Sequence, residues 1–148
     1  MVHALRQARR VLKHDGYLLD LRPAPAVRHV GVELNEAYQE VAIMKESLDE
    51  TIAADRAVKE MINAGLLKVK SCTRFECTRR MDSYGEFQTW LQDPARFRKL
   101  RSPERLLKQV KEAWKSHGEI TKARKAKRRI VVLGPLDLQV LMKSDSKR

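Results

Sequence analysis

The chain is poor in glycine, and its six glycines (Gly16, Gly31, Gly65, Gly85, Gly118 and Gly134) are scattered. No strand, G-x-G and helix can be written around any of them, which excludes the glycine loop that cradles a dinucleotide-type cofactor. Cysteine is almost absent. Cys72 and Cys77 lie five apart on what reads as one strand, and an odd spacing sends them to opposite faces, so two free thiols are expected rather than a disulfide. The four histidines are dispersed and no cysteine spacing suits zinc. Aromatics make up 5% of the residues, too few to line a base-stacking groove. Apolar runs are short, so no bilayer-spanning segment is expected. Arg6, Arg9 and Arg10 interrupt the N-terminus where a signal peptide would be apolar, and a cytoplasmic location is the expectation. No histidine, cysteine or hydroxyl stands at the spacing of a nucleophile motif, so no catalytic residue is assigned.

What the chain has is charge. Its 31 lysines and arginines against 19 acids give +12, within a composition 43% hydrophobic and 34% charged. That apolar content excludes a wholly disordered chain, and 148 residues suffice for one domain with a core. The expected domain is 1–142, followed by a disordered tail over 143–148. The basic excess favours anionic partners without specifying one.

Val2, Leu5, Ala8, Val11 and Leu12 recur at helical spacing, and Arg9, Arg10 and Lys13 cluster where a helix C-terminus favours cations. His14-Asp15-Gly16 then makes a turn into an apolar strand, Tyr17 to Leu21, which reads as an interior strand covered on both faces. Pro23 and Pro25 mark a loop, and residues 29–34 and 38–44 a hairpin around Asn35-Glu36-Ala37. Ser47 and Glu50 have the form of a capping box for a helix that stops at Asn63-Ala64-Gly65. A long strand follows, Leu66 to Ser83, with a bulge placed at Ser71–Thr73. Ser83 caps a short helix burying Phe87, Trp90 and Leu91, and Asp93-Pro94 opens a new segment. Ser102-Pro103-Glu104 opens another helix, ended by His117-Gly118. After a basic run come two apolar stretches, Ile130–Leu133 and Leu136–Met142, interrupted by Gly134-Pro135.

The block "ALRQARRVLK…GYLLDL" over Ala4–Leu21 resembles the helix feeding the fifth strand of class I S-adenosylmethionine-dependent methyltransferases, specifically methyltransferase type 11-like domains. Order and punctuation then match as far as about Met142, with "AGLL" at Ala64–Leu67 and "Met81-Asp82-Ser83-Tyr84" between the family's fifth and sixth strands. The turn His14-Asp15 departs from the family's usual Pro-Gly. The resemblance implies an α/β fold: the C-terminal half of a Rossmann-like sheet, with flanking helices and a terminal antiparallel pair formed by Leu66–Ser83 and Ile130–Met142. The family's donor-binding glycine loop and ribose-binding acid lie in the half that the resemblance does not cover. The resemblance therefore implies a fragment or remnant, inactive alone and binding no cofactor alone, although S-adenosylmethionine belongs to the complete domain. The exposed edge of its first strand calls for a homodimer or a separate N-terminal half as partner.

Two groups of residues are candidate sites. Asp20 and Arg22 leave the first strand where α/β sheets bind ligands, and would contact a methyl acceptor or else form a strand-end ion pair. Lys122, Arg124, Lys125, Lys127, Arg128 and Arg129 form the basic run, either a polyanion site or a solvated connection. The alternative function is accordingly a basic binding module for nucleic acid or a protein partner, with weak nucleic-acid binding and no membrane association. Glu33, Glu40 and Glu46 are candidate acid or base groups.

Overall fold

Val2 to Val11 forms helix α1, and its Val2 and Leu5 reach a cluster with Leu18, Val58, Met61, Leu67 and Leu141. Val2, Leu5, Ala8 and Leu12 are half-buried along the face seen in the sequence, while Val11 is left 74% exposed. The computed structural model describes residues 2–24, 26–124 and 127–144. Further elements are β1 (Tyr17–Pro23), β2 (Arg28–Leu34), β3 (Ala37–Met44), α2 (Asp49–Asn63), β4 (Leu67–Met81), α3 (Tyr84–Leu91), α4 (Pro94–Phe97), α5 (Pro103–Arg124) and β5 (Arg128–Lys143). The protein is thus mixed α/β, with flanking helices and a five-stranded antiparallel sheet. Its strand order is β1-β5-β2-β3, with β4 also paired to β5.

The contacts cluster into two units, the first made of 1–25, 48–75 and 135–148. In this unit β1 pairs antiparallel with β5, from Tyr17 opposite Met142 to Pro23 opposite Leu136. β4 also runs against β5, since Leu66 meets Ser144 while Arg74, further along, meets Asp137. Helix α2 ends at Gly65, whose φ of +66° suits glycine. The N–H groups of Gly65 and Leu66 return to the carbonyls of Ile62 and Met61, closing a Schellman turn. Leu48 occupies the cap position of α2 and its own side chain makes no cap hydrogen bond. Just before it, Ser47 donates its backbone N–H to the Lys99 carbonyl, beside a bridge between Glu46 and Leu100.

β1 corrects the sequence most. It alternates, with Leu18, Asp20 and Arg22 half-buried and Tyr17, Leu19 and Leu21 exposed by 47%, 64% and 56%. Its edge is exposed as expected, but one of its two faces is open to solvent, so the strand is not covered on both faces. The last strand also differs from expectation. Gly134-Pro135 does not interrupt β5, but marks the point where its neighbour changes from β2 to β1. Pro135 lacks an N–H, and its carbonyl accepts from Ala24 at 2.9 Å. Lys143 still belongs to β5 and Ser144 donates to Leu66, so the expected disorder of 143–148 does not extend to these two; 145–148 lie outside the described residues.

The second unit holds 26–47 and 76–134. The β2–β3 hairpin turns on Asn35 and Glu36, both at positive φ, and β2 pairs with β5 from His29 opposite Leu133 to Leu34 opposite Arg128. That two-residue turn matches the right-handed twist of the strands. Val30, Ala42, Met44, Ile130 and Val132 meet Phe87, Leu91, Leu106 and Val110 of the helices in one core. Ser83 caps α3 as expected, accepting from Glu86 N–H at 3.1 Å. Helix α5 runs on to Arg124, past the stop expected at His117-Gly118. Gly118 is a packing glycine: a Cβ there would come within 2.6 Å of Arg128 Nη1. β4 is exposed from Lys68 to Arg80, and Cys72 and Cys77 are exposed free thiols.

Candidate functional site

Residues two apart on a strand share a face, and Asp20 and Arg22 do so on the half-buried side of β1. Arg22 Nη2 lies 2.8 Å from Asp20 Oδ2, and its Nη1 lies 2.9 Å from Asp55 Oδ1 on α2. The same guanidinium reaches the Thr51 carbonyl at 3.4 Å. The Asp20 contact is an ion pair rather than an aligned hydrogen bond, since Oδ2 has no partner of hydrogen-bond geometry. Opposite Arg22 in register is Asp137, gripped by Arg74 through two bonds of 2.7 and 2.8 Å. Asp20, Arg22, Asp55, Asp137 and Arg74 thus form a row of alternating charges across β1, β5 and β4 and up to α2. The geometry favours fastening α2 to the sheet over displaying a free group to a ligand. Asp55, Arg74 and Asp137 carry no local motif, and only the strand register brings them to Arg22.

The Arg74 fork, followed by the nearby positive charges, holds the Asp137 carboxyl below its ordinary value. A depressed carboxyl pKa contributes stability that is complete above the unfolded value and is lost as pH falls through the folded one. Asp137→Asn is therefore expected to lower the urea midpoint at pH 7, while mutant and wild type converge below about pH 4. The side chain of Arg74 is 58% exposed, so solvent screening keeps the loss at pH 7 small. A difference that widened on acidification would contradict the pairing.

In the second unit the candidate carboxylates are all engaged. Glu33 is 7% exposed and accepts from Arg80 Nε at 3.0 Å, with Arg129 Nη1 3.7 Å away. Glu40 meets His29 Nδ1 at 2.8 Å, and Glu46 lies 3.6 Å from Arg28. All three carboxylates are thus taken up by basic side chains of neighbouring strands.

The basic run is not one feature. Lys122 and Arg124 belong to α5, but their side chains, like Lys125 as a whole, lie outside the described residues. Arg128 and Arg129 open β5. Arg128 stacks its guanidinium 3.6 Å from the Trp114 ring centroid and donates to the Trp114 carbonyl; burial holds its pKa below the ordinary arginine value. Arg129 is committed to Asp82 at 3.0 Å as well as to Glu33. Lys127 is exposed. The solvated connection expected of the run is therefore replaced, at Arg128 and Arg129, by packed strand residues.

The described residues do not fit S-adenosylmethionine as the family holds it. Gly31 and Gly134 lie within strands, Gly85 and Gly118 within helices, Gly16 follows α1 and Gly65 ends α2. None makes a strand-to-helix loop. Among the described residues no group of three or more His, Cys, Asp or Glu could hold a metal, and no helix is long and apolar enough to cross a membrane. No family model, curated protein or solved structure matches the chain.

Proposed function

We propose that the chain is the C-terminal half of a class I S-adenosylmethionine-dependent methyltransferase domain, inactive by itself. Its β1 would be completed by a strand of a separate donor-binding half or, failing that, by a second copy. The observation that carries this is β1 itself, which exposes Tyr17, Leu19 and Leu21 along one face and leaves one edge without a strand among the described residues. An unpaired edge together with a bare apolar face is what an interior strand of a larger sheet presents when its neighbouring strand and the layer covering that face are absent. The strand directions support the same reading. β1 and β4 both run antiparallel to β5 and so parallel to each other, with β4–β5 as the terminal ribbon. α1 leads into β1 through the turn at Gly16, whose N–H bonds the Lys13 carbonyl.

Light scattering on the full chain is expected to show self-association, and Leu19→Lys with Leu21→Lys to return it to a monomer. A wild type that stays monomeric at high concentration would sink the reading. Titration of S-adenosylmethionine into the isolated chain is expected to give no saturable heat, and micromolar binding would overturn the incapacity for donor. A second reading, a basic binding module, draws on Lys108, Lys111 and Lys115, exposed at helical spacing along α5. It requires nucleic-acid binding that persists near physiological salt.

A further inference from the structure

A half-open cleft of about 450 Å³ lies in the second unit between β3 and the start of α5. Its position follows from the bridge of Glu46 with Leu100, flanked by hydrogen bonds from Arg101 N–H to the Lys45 carbonyl and from Ser47 N–H to the Lys99 carbonyl. That pairing sets Lys45 opposite Arg101, and Arg105 follows four residues on. All three cations line the cleft, together with Gln109 and a buried floor that includes Ala42 and Leu106.

The carboxylates Glu33, Glu40 and Glu46 of this unit each have a basic partner, whereas the cations of the cleft have no acidic one. Among the described residues Lys45, Arg101 and Arg105 have no carboxylate partner. Glu40, the carboxylate in the lining, is taken by His29 at 2.8 Å. Three like charges gathered at one concavity repel each other, and an anion between them relieves that repulsion. Two guanidinium forks and an ammonium suit the oxygens of a phosphate better than a lone carboxylate. The first turn of the 22-residue α5 adds a positive field of the same sense. The volume lies within the roughly 300–1,000 Å³ typical of small-molecule sites, and exceeds what a bare phosphate fills. Gln109 offers an amide for one polar group of the remainder, and Ala42 and Leu106 offer an apolar bed.

We propose that this cleft binds a phosphomonoester, its phosphate among Lys45, Arg101 and Arg105 and its uncharged body beside Gln109. The inference is independent of the methyltransferase reading, because the cleft lies wholly within the second unit and involves neither β1 nor a methyl donor. Calorimetric titration of the full chain with adenosine monophosphate, ribose 5-phosphate, inorganic phosphate and adenosine tests it. Saturable binding of at least one phosphomonoester is expected, tighter than inorganic phosphate, with none for adenosine. Arg101→Gln with Arg105→Gln should weaken that binding by about tenfold or more, whereas Lys108→Gln with Lys111→Gln should leave it unchanged. The four side chains are exposed, and circular dichroism checks that both variants fold. Absence of binding by both phosphomonoesters would overturn the proposal. So would equal weakening by the two double variants, or binding of a single-stranded RNA oligonucleotide without either phosphomonoester; each would mark a diffuse basic surface.

Discussion

Phe87→Ala is expected to destabilise the protein by about 3–5 kcal/mol, a large share of the total stability of a chain this size. Phe87 is fully buried and lies among Val30, Met44, Leu91, Val110 and Val132, with the Trp90 and Tyr84 rings 6.0 and 6.4 Å from its own. Truncation removes the ring's transfer free energy and leaves a cavity at the junction of α3, α5 and the sheet, where side chains from three directions cannot all collapse inward. Phe87→Leu retains most of the volume and is expected to cost much less, within about 1.5 kcal/mol. Urea unfolding separates the two. A loss below about 1 kcal/mol for the alanine variant would mean that this core is not the one described.

The second large effect is expected at Gly31. A Cβ there would sit 2.3 Å from the Gln39 carbonyl oxygen and 2.4 Å from the Tyr38 ring. The hairpin register shifts between Val30 and Gly31, drawing the β3 backbone against this residue. Gly31→Val is therefore expected to cost at least the upper end of the roughly 1–3 kcal/mol range for overpacking. Tyr38→Ala in the same chain should not restore stability, because the carbonyl oxygen remains. Gly134→Ala supplies the contrast. Its nearest obstacle is Arg28 Cγ at 2.8 Å, a side-chain atom that a rotamer change can move whereas a backbone carbonyl cannot, so the expected cost is smaller than at Gly31. Equal losses at the two glycines would show that close backbone approach is not what glycine serves at Gly31.

Much of the local structure could be read from neighbouring residues. Ser83 starts α3, Gly65 ends α2, and the hairpin turns within Asn35-Glu36-Ala37. Each signal acts within about four positions, so the sequence carries it complete. The pairing of Asp20 with Arg22 was equally visible, being two apart on one strand. Their third and fourth partners were not, because Asp55 and Asp137 meet Arg22 only through helix packing and strand register.

The misread elements share a cause. Gly118 looked like a helix stop because glycine commonly ends helices, yet it serves the approach of Arg128 from ten residues away. Gly134-Pro135 looked like a break because proline cannot donate to a ladder, yet it falls where β5 exchanges one neighbour for another. Composition and short-range spacing by themselves determined a charged α/β chain, most of its helices and strands, and the absence of a glycine loop. Only the tertiary structure decided that one face of β1 is bare, that α5 continues to Arg124, and that Lys45 and Arg105 share a cleft. Those outcomes depend on contacts between residues far apart in the chain, and no periodicity within a single element encodes which distant partner arrives.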